Sequence, residues 1–251
     1  MTNLKGKTAI VTGGSRDIGR AVCEELAAAG AKVVVNYRGD PGAAEATVAA
    51  IQSAGGEAVA VQADVTLPDD CERLVRQTQA AFGAELHILV NVAGGMVARK
   101  QLAEMDIDFF DYVMRLNAGS TFMMTKAVVP HMKEGASIVN FASQAGRDGG
   151  GPGATAYAAS KGAVMTFTRS MAKELGPRGI RINALCAGMI ATTFHDVFTK
   201  DEVRASVAAA TPLRRQGNAA EVARTVRALA SDDTSFVTGA NIDINGGTFF
   251  S

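Results

Sequence analysis

Short runs of β-branched and apolar residues alternate along the chain with longer alanine-rich stretches whose apolar positions recur every three to four residues. The spacing predicts strands at Thr8 to Val11, Lys32 to Asn36, Ala58 to Gln62, Ile88 to Asn91, Ser137 to Phe141, Arg181 to Leu185 and Asn241 to Ile244. Their near-continuous apolarity is that of strands covered on both faces. Helices are expected between them, among others at Ile18 to Ala29, Ala43 to Ala54 and Ala154 to Leu175. Such alternation is the pattern of a parallel, doubly wound sheet, so one α/β domain spanning residues 1–251, with helices on both faces, is expected. No Pro- or Ser-rich linker, low-complexity segment or longer repeat interrupts it. One stretch resists the pattern. Met189 to Gly217 follows the sixth strand, is long and mixed in polarity, and reads as a mobile lid over the sheet's ligand edge.

With 47% apolar and 20% charged residues, the chain of 251 residues can bury a sizeable core. Its 25 basic and 25 acidic residues cancel, which leaves no excess positive field for nonspecific binding to nucleic acid. The first residues are polar and then glycine-rich, and no apolar run approaches the roughly 18 to 20 residues that cross a bilayer. A cytoplasmic protein without a membrane or nucleic-acid partner is therefore expected. Cys23, Cys71 and Cys186 are odd in number, widely spaced and set in apolar contexts, as buried thiols are; neither disulfides nor a metal are expected. The 27 glycines are unusual, and many directly follow apolar runs, where backbone must turn sharply or approach a ligand.

The most telling of these turns comes after the first strand, where Thr12, Gly13, Gly14, Ser15, Arg16, Asp17, Ile18 and Gly19 open a helix. Strand, tight turn and helix in that order bring backbone amides and the positive helix end to a pyrophosphate, while Gly13 and Gly19 remove obstructing side chains. The same sequence also suits an ordinary βα turn, so other positions must decide. After the second strand stand Asn36, Tyr37 and Arg38, where an acid usually meets the ribose hydroxyls of a dinucleotide. Arg38 and Arg16 suit a 2′-phosphate instead, which makes NADP the preferred cofactor and leaves NAD possible.

Tyr157 and Lys161 stand four apart in a helical run and share a face. An ammonium beside a phenol favours the phenolate, so Lys161 is expected to lower the tyrosine's pKa and make it a usable acid or base. Ser143 follows the fifth strand, at the carboxyl edge where parallel sheets bind ligands.

These motifs, in this order, resemble the short-chain dehydrogenase/reductase family of single-domain NAD(P)(H) oxidoreductases with a Rossmann sheet. The likeness runs the whole length: Thr12 to Gly19, Asp64-Val65, Asn91-Val92-Ala93-Gly94, Asn117, Ser143, Tyr157, Lys161, Ala187-Gly188 and Thr192. It implies that Ser143 hydrogen-bonds the substrate oxygen, Tyr157 exchanges its proton, Lys161 tunes Tyr157 and reaches the nicotinamide ribose, and Asn117 holds a proton-relaying water chain. It also implies that Gly13, Ser15, Arg16, Asp17, Ile18, Gly19, Tyr37, Arg38, Asp64, Val65, Asn91, Ala93, Gly94, Gly188, Ile190 and Thr192, with Tyr157 and Lys161, bind the cofactor. Family members are commonly dimers or tetramers, and Phe249 and Phe250, so near the chain end at Ser251, suggest a terminus docked on a neighbouring subunit or on its own chain.

Three positions depart from the family pattern. Asp17 replaces the usual glycine and is expected to cap the following helix. Val92 replaces a second asparagine, and Ala187 replaces a proline whose loss loosens a turn near the nicotinamide. Around the site, His195, Lys200, Arg204, Arg214 and Arg215 of the lid, with Arg147, form a basic bias. It suits an anionic substrate, such as a 3-oxoacyl thioester on a carrier or a sugar-acid ketone, although Asp196, Asp201 and Glu202 also balance a solvated lid. Arg147 and the run Asp148 to Gly153, with Gly149, Gly150 and Gly151, suggest a flexible wall able to admit a polar, branched substrate. A non-catalytic NADP sensor or a structural protein are the competing classes; intact Asn117, Ser143, Tyr157 and Lys161 argue against both.

Overall fold

The computed structural model describes residues 3–250, so Met1, Thr2 and Ser251, the ends of the expected domain, lie outside the described residues. Seven parallel strands form one sheet: β1 (Thr8–Thr12), β2 (Lys32–Tyr37), β3 (Glu57–Gln62), β4 (Ile88–Asn91), β5 (Ser137–Phe141), β6 (Arg181–Ala187) and β7 (Asn241–Ile244). Their order is β3-β2-β1-β4-β5-β6-β7. The order reverses between β1 and β4, which opens a crevice at their carboxyl ends.

The helices are α1 (Asp17–Ala28), α2 (Pro41–Ser53), α3 (Pro68–Phe82), α4 (Ile107–Met114), α5 (Ser120–Val128), α6 (Ala145–Asp148), α7 (Thr155–Leu175), α8 (Thr193–Phe198), α9 (Asp201–Ala210) and α10 (Ala219–Ala230). Period-two alternation along each strand sends side chains to two separate cores. Val11, Val33, Val35 and Val90 pack with Leu26 of α1, Ile51 of α2 and Val226 of α10. Ile10, Val34, Leu89 and Ile138 pack on the opposite face with Leu74 of α3, Met124 of α5 and Leu175 of α7. Each fully buried leucine or isoleucine contributes about 2 kcal/mol.

Local chemistry sets several boundaries. Asp40 starts α2 two residues earlier than the apolar pattern indicates, because its carboxylate accepts from the Ala43 amide at 3.0 Å. β6 runs two residues beyond the predicted strand, pairing Cys186 with Asp243 and Ala187 with Ile244. The 189–217 segment folds into α8 and α9, and a parallel bridge between Ile190 and Gly217 closes its base. All three cysteines are buried thiols. No helix among the described residues is long and apolar enough to cross a membrane.

Candidate active site

The turn between β1 and α1 is held from β2. Gly13 N donates to Asn36 Oδ1 at 3.2 Å and Gly14 N to the Asn36 carbonyl at 2.8 Å, while Asn36 Nδ2 reaches the Ala63 carbonyl at 3.1 Å. Asn36 is thus the buried tie of three strand ends and does not face a ribose. A Cβ at Gly19 would lie 2.0 Å from the Gly13 carbonyl oxygen, so only glycine lets α1 pack this closely on the turn. Arg16 and Arg38 stand exposed on either side, with Arg38 Nη1 3.9 Å from Asp64 Oδ2. Asp64 is itself fixed by Thr66, whose amide and hydroxyl both donate to Oδ1.

Asp17 does not cap α1. It sits in the left-handed region at φ +50°, which an aspartate tolerates better than most side chains, and no side-chain bond caps the helix. Its carboxylate instead crosses to the first residue of α8, accepting from the Thr193 amide at 3.1 Å and from the Thr193 hydroxyl. The glycine turn and the 189–217 segment are tied at this point.

At the carboxyl ends of β4, β5 and β6 opens a cavity of about 350 Å³. Ser143, Tyr157, Lys161, Ile18, Gly94, Gly188, Ile190 and Thr192 all line it. Lys161 is buried and its Nζ donates to the Phe141 carbonyl at 2.6 Å, with the Tyr157 ring centroid 5.7 Å away. A Cβ at Gly94 would stand 2.5 Å from Asn117 Oδ1 and 3.3 Å from Lys161 Nζ, so glycine keeps these two groups within reach of each other. Asn117 lies in a π-helical turn, Arg115–Gly119, between α4 and α5. Such turns widen a helix and recur at functional sites. Its amide is locked onto Gly95, donating to the carbonyl and accepting from the N–H, both at 2.9 Å.

The electrostatics reverse one expectation. Burial pushes the Tyr157 phenol above its ordinary pKa, against a smaller downward pull from the Ser143 hydroxyl. Burial also pushes Lys161 down, to about 8, against an upward effect of Cys186. The lysine does not bond the phenol, and desolvation of the phenolate outweighs a cation turned toward the Phe141 carbonyl.

The remaining expected residues separate from the cavity. Asn91 Nδ2 donates to Asn140 Oδ1 at 2.9 Å, and Asn140 in turn reaches Thr168 of α7, so Asn91 braces β4 against β5 and its own Oδ1 is buried without a partner. Tyr37, Arg38, Asp64 and Val65 gather at the ends of β2 and β3, and the Ala93 N–H donates to the Thr12 hydroxyl oxygen at 3.1 Å. Thr47 caps the far side of the turn, bonding the Ser15 carbonyl at 3.2 Å.

Half of the basic bias goes into ion pairs. Arg147 turns away from the cavity to Asp243 of β7, with Nε 2.7 Å from Oδ1, and Nη2 donates to the Asn241 carbonyl at 2.6 Å. Arg204 pairs with Asp196, Arg215 with Glu221, and Arg214 donates to the Ala209 carbonyl. His195 does line the cavity, with Nδ1 3.0 Å from the Thr199 hydroxyl. Among the lining residues that the sequence did not single out, two stand out. Phe194 of α8 leans on Tyr157, ring centroids 5.8 Å apart, and Arg99 follows β4.

A family model described as "Enoyl-(Acyl carrier protein) reductase" matches residues 13–248. A 3-oxoacyl-[acyl-carrier-protein] reductase of Synechocystis sp. is 40% identical over 250 residues, 98% of each chain. The chain belongs to the short-chain dehydrogenase/reductase family. It is an oxidoreductase of that family, and solved members superpose closely. A short-chain dehydrogenase from Burkholderia cenocepacia, in complex with NADP, matches at a TM-score of 0.91 and 33% identity, over 98% of this chain and 99% of that one. An NADH-dependent reductase responsible for alginate metabolism matches at 0.90 and 33% identity, over 99% of both. In this short-chain dehydrogenase/reductase the glycine cradle and the exposed Arg16 and Arg38 suit a dinucleotide's phosphates, and the buried Lys161 ammonium keeps further donors toward the cavity it lines.

Proposed function

We propose that this protein is an NADP(H)-dependent reductase that converts a ketone to a secondary alcohol, or runs the reverse, with the 189–217 segment as its lid. The observation that carries the reading is the meeting of a half-buried Tyr157 with Ser143 and the buried Lys161 in one cavity at the carboxyl edge of the sheet, where desolvation favours the protonated phenol. The dinucleotide, when bound, supplies or accepts the hydride. Ser143 donates a hydrogen bond to the carbonyl oxygen, and Tyr157 gives that oxygen its proton as negative charge develops there. Lys161 keeps a positive charge beside the forming alkoxide and binds the cofactor ribose, and Asn117 holds the entry of the proton relay against Gly94 and Gly95. Phe194, leaning over Tyr157, excludes water.

Gly13, Ser15, Ile18, Gly19, Ala93 and Gly94 form the cradle for the dinucleotide; Gly188, Ile190 and Thr192 close its nicotinamide end. Arg16 and Arg38 support NADP over NAD, since each is exposed and no closer carboxylate than Asp64 competes for Arg38. The cavity, about 350 Å³ before a nicotinamide enters it, suits a compact ketone or the tip of an acyl thioester. The 3-oxoacyl-carrier relative supports the thioester, and the alginate-metabolism neighbour supports a sugar-acid ketone.

One panel tests the reading: acetoacetyl thioester and keto sugar acids with NADPH or NADH, for the native protein, Tyr157→Phe and Arg38→Asp. Tyr157→Phe is expected to lower kcat about a thousandfold. Arg38→Asp is expected to raise KM for NADPH far more than for NADH. Full turnover by Tyr157→Phe sinks the mechanism, and equal effects on both dinucleotides sink the NADP preference.

A further inference from the structure

Arg99 lines the cavity, and none of the chemistry above uses it. Its side chain joins two other walls: Nε donates to the Phe198 carbonyl at the end of α8 at 3.2 Å, and Nη1 to the Pro152 carbonyl at 2.9 Å. The backbone closes on the same loop, with Lys100 N donating to the Gly153 carbonyl at 3.1 Å. A Cβ at Gly153, where φ is +76°, would press within 3.0 Å of the Arg99 Cβ. The glycine-rich stretch expected to be a flexible wall is therefore packed against this arginine, whose exposed guanidinium is held at the cavity rim by two carbonyls.

Its charge is uncompensated. Arg147, Arg204 and Arg215 each have a carboxylate partner, whereas the hydrogen bonds of Arg99 go to carbonyls only among the described residues. Two of five N–H donors are used, so Nη2 and part of Nη1 remain for a ligand. Among the described residues Asp148 is the sole carboxylate lining the cavity, and it accepts from Gln144 Nε2 at 2.9 Å and the Gly150 amide at 2.8 Å. Neighbouring His195 is held below its ordinary pKa, by burial first and then by Arg204, with Arg99 contributing further, and so adds a neutral hydrogen-bonding group.

We propose that Arg99 is the specificity-determining residue for a carboxylate on a compact oxo-acid substrate whose ketone faces Ser143 and Tyr157. This rests on the reductase reading of the same cavity and names its substrate class. Of the cations that first suggested an anionic substrate, Arg147, Arg204 and Arg215 are spent in ion pairs, and neither these nor Lys200 and Arg214 line the cavity; Arg99 does.

The test separates binding from turnover. Levulinate and its uncharged methyl ester are titrated calorimetrically into the Tyr157→Phe protein, with and without NADPH. The acid is expected to bind about tenfold more tightly than the ester, the worth of one charged hydrogen bond. Arg99→Met removes that preference, and Arg99→Lys keeps part of it. Three results overturn the assignment: no preference in the parent, an undiminished preference in Arg99→Met, or equal weakening of acid and ester, which marks a residue that only holds the walls. A preference that depends on Arg99, in a native protein that reduces no carbonyl with either dinucleotide, upholds the anion site and sinks the reductase reading.

Discussion

Tyr157 and Lys161 show how burial can outweigh a neighbouring charge. The phenol is pushed up and the ammonium down, to about 8, so on raising the pH the lysine gives up its proton first. In the proposed mechanism, reduction needs a protonated phenol and a cationic lysine. Its kcat/KM with NADPH is therefore expected to hold steady below about pH 8 and fall above it. Lys161→Met removes that limb along with about a hundredfold or more of the rate. Reduction that stays level to about pH 10, the ordinary phenol range, overturns this assignment. The meeting of Ser143, Tyr157 and Lys161 in one cavity was legible because residue type, spacing and a strand end point to it together. The direction of the tyrosine's shift was not, since it depends on how completely the fold removes water. Arg99 was illegible for a related reason: a lone arginine has no spacing partner, and the two carbonyls that fix it come from residues 53 and 99 positions away.

Elements followed the hydrophobic pattern closely wherever they belong to the sheet. β4, β5 and β7 match their expected limits, because apolar runs bounded by polar turns leave little freedom of register. The π-turn holding Asn117 left no such mark, since it lies inside a continuous helical stretch and changes only which carbonyl each amide meets. Asp17 was misread because capping is a local habit of aspartate, while its real partner Thr193 lies 176 residues away. The consequence belongs to the 189–217 segment, whose α8 is tied at its first residue to the glycine turn. Asp17→Asn, which tolerates the left-handed backbone, and Thr193→Val each weaken the tie by about 1 kcal/mol. Trypsin, which cuts after Lys200 and Arg204 in that segment, is expected to cleave both variants about fivefold faster than the parent. Equal cleavage rates in all three proteins would show that the tie holds nothing down.

At the scale of the whole molecule, the interior of the sheet and its β7 edge are unlike. Strands β1, β4 and β5 are buried along their full lengths, whereas every residue of the edge strand β7 is only partly covered. The chain on either side of β7 adds apolar surface: Phe236 before it is fully exposed, and Phe250 after it is 81% exposed. Phe249 is accounted for within the chain, its ring 5.9 Å from the Arg147 guanidinium, so the terminal pair that composition presented as equivalent divides into one docked and one uncovered ring. An edge strand with an open ladder, flanked by two bare phenylalanines, favours cover by a second copy placed around a two-fold axis, where each Phe meets the same surface it belongs to. Light scattering at micromolar concentration is expected to give at least twice the chain mass of 25.9 kDa. The double variant Phe236→Ser/Phe250→Ser shifts that mass toward the single chain, while reductase activity per site discriminates loss of assembly from loss of fold. A native protein that scatters as one chain rules out self-association as the cover of this edge.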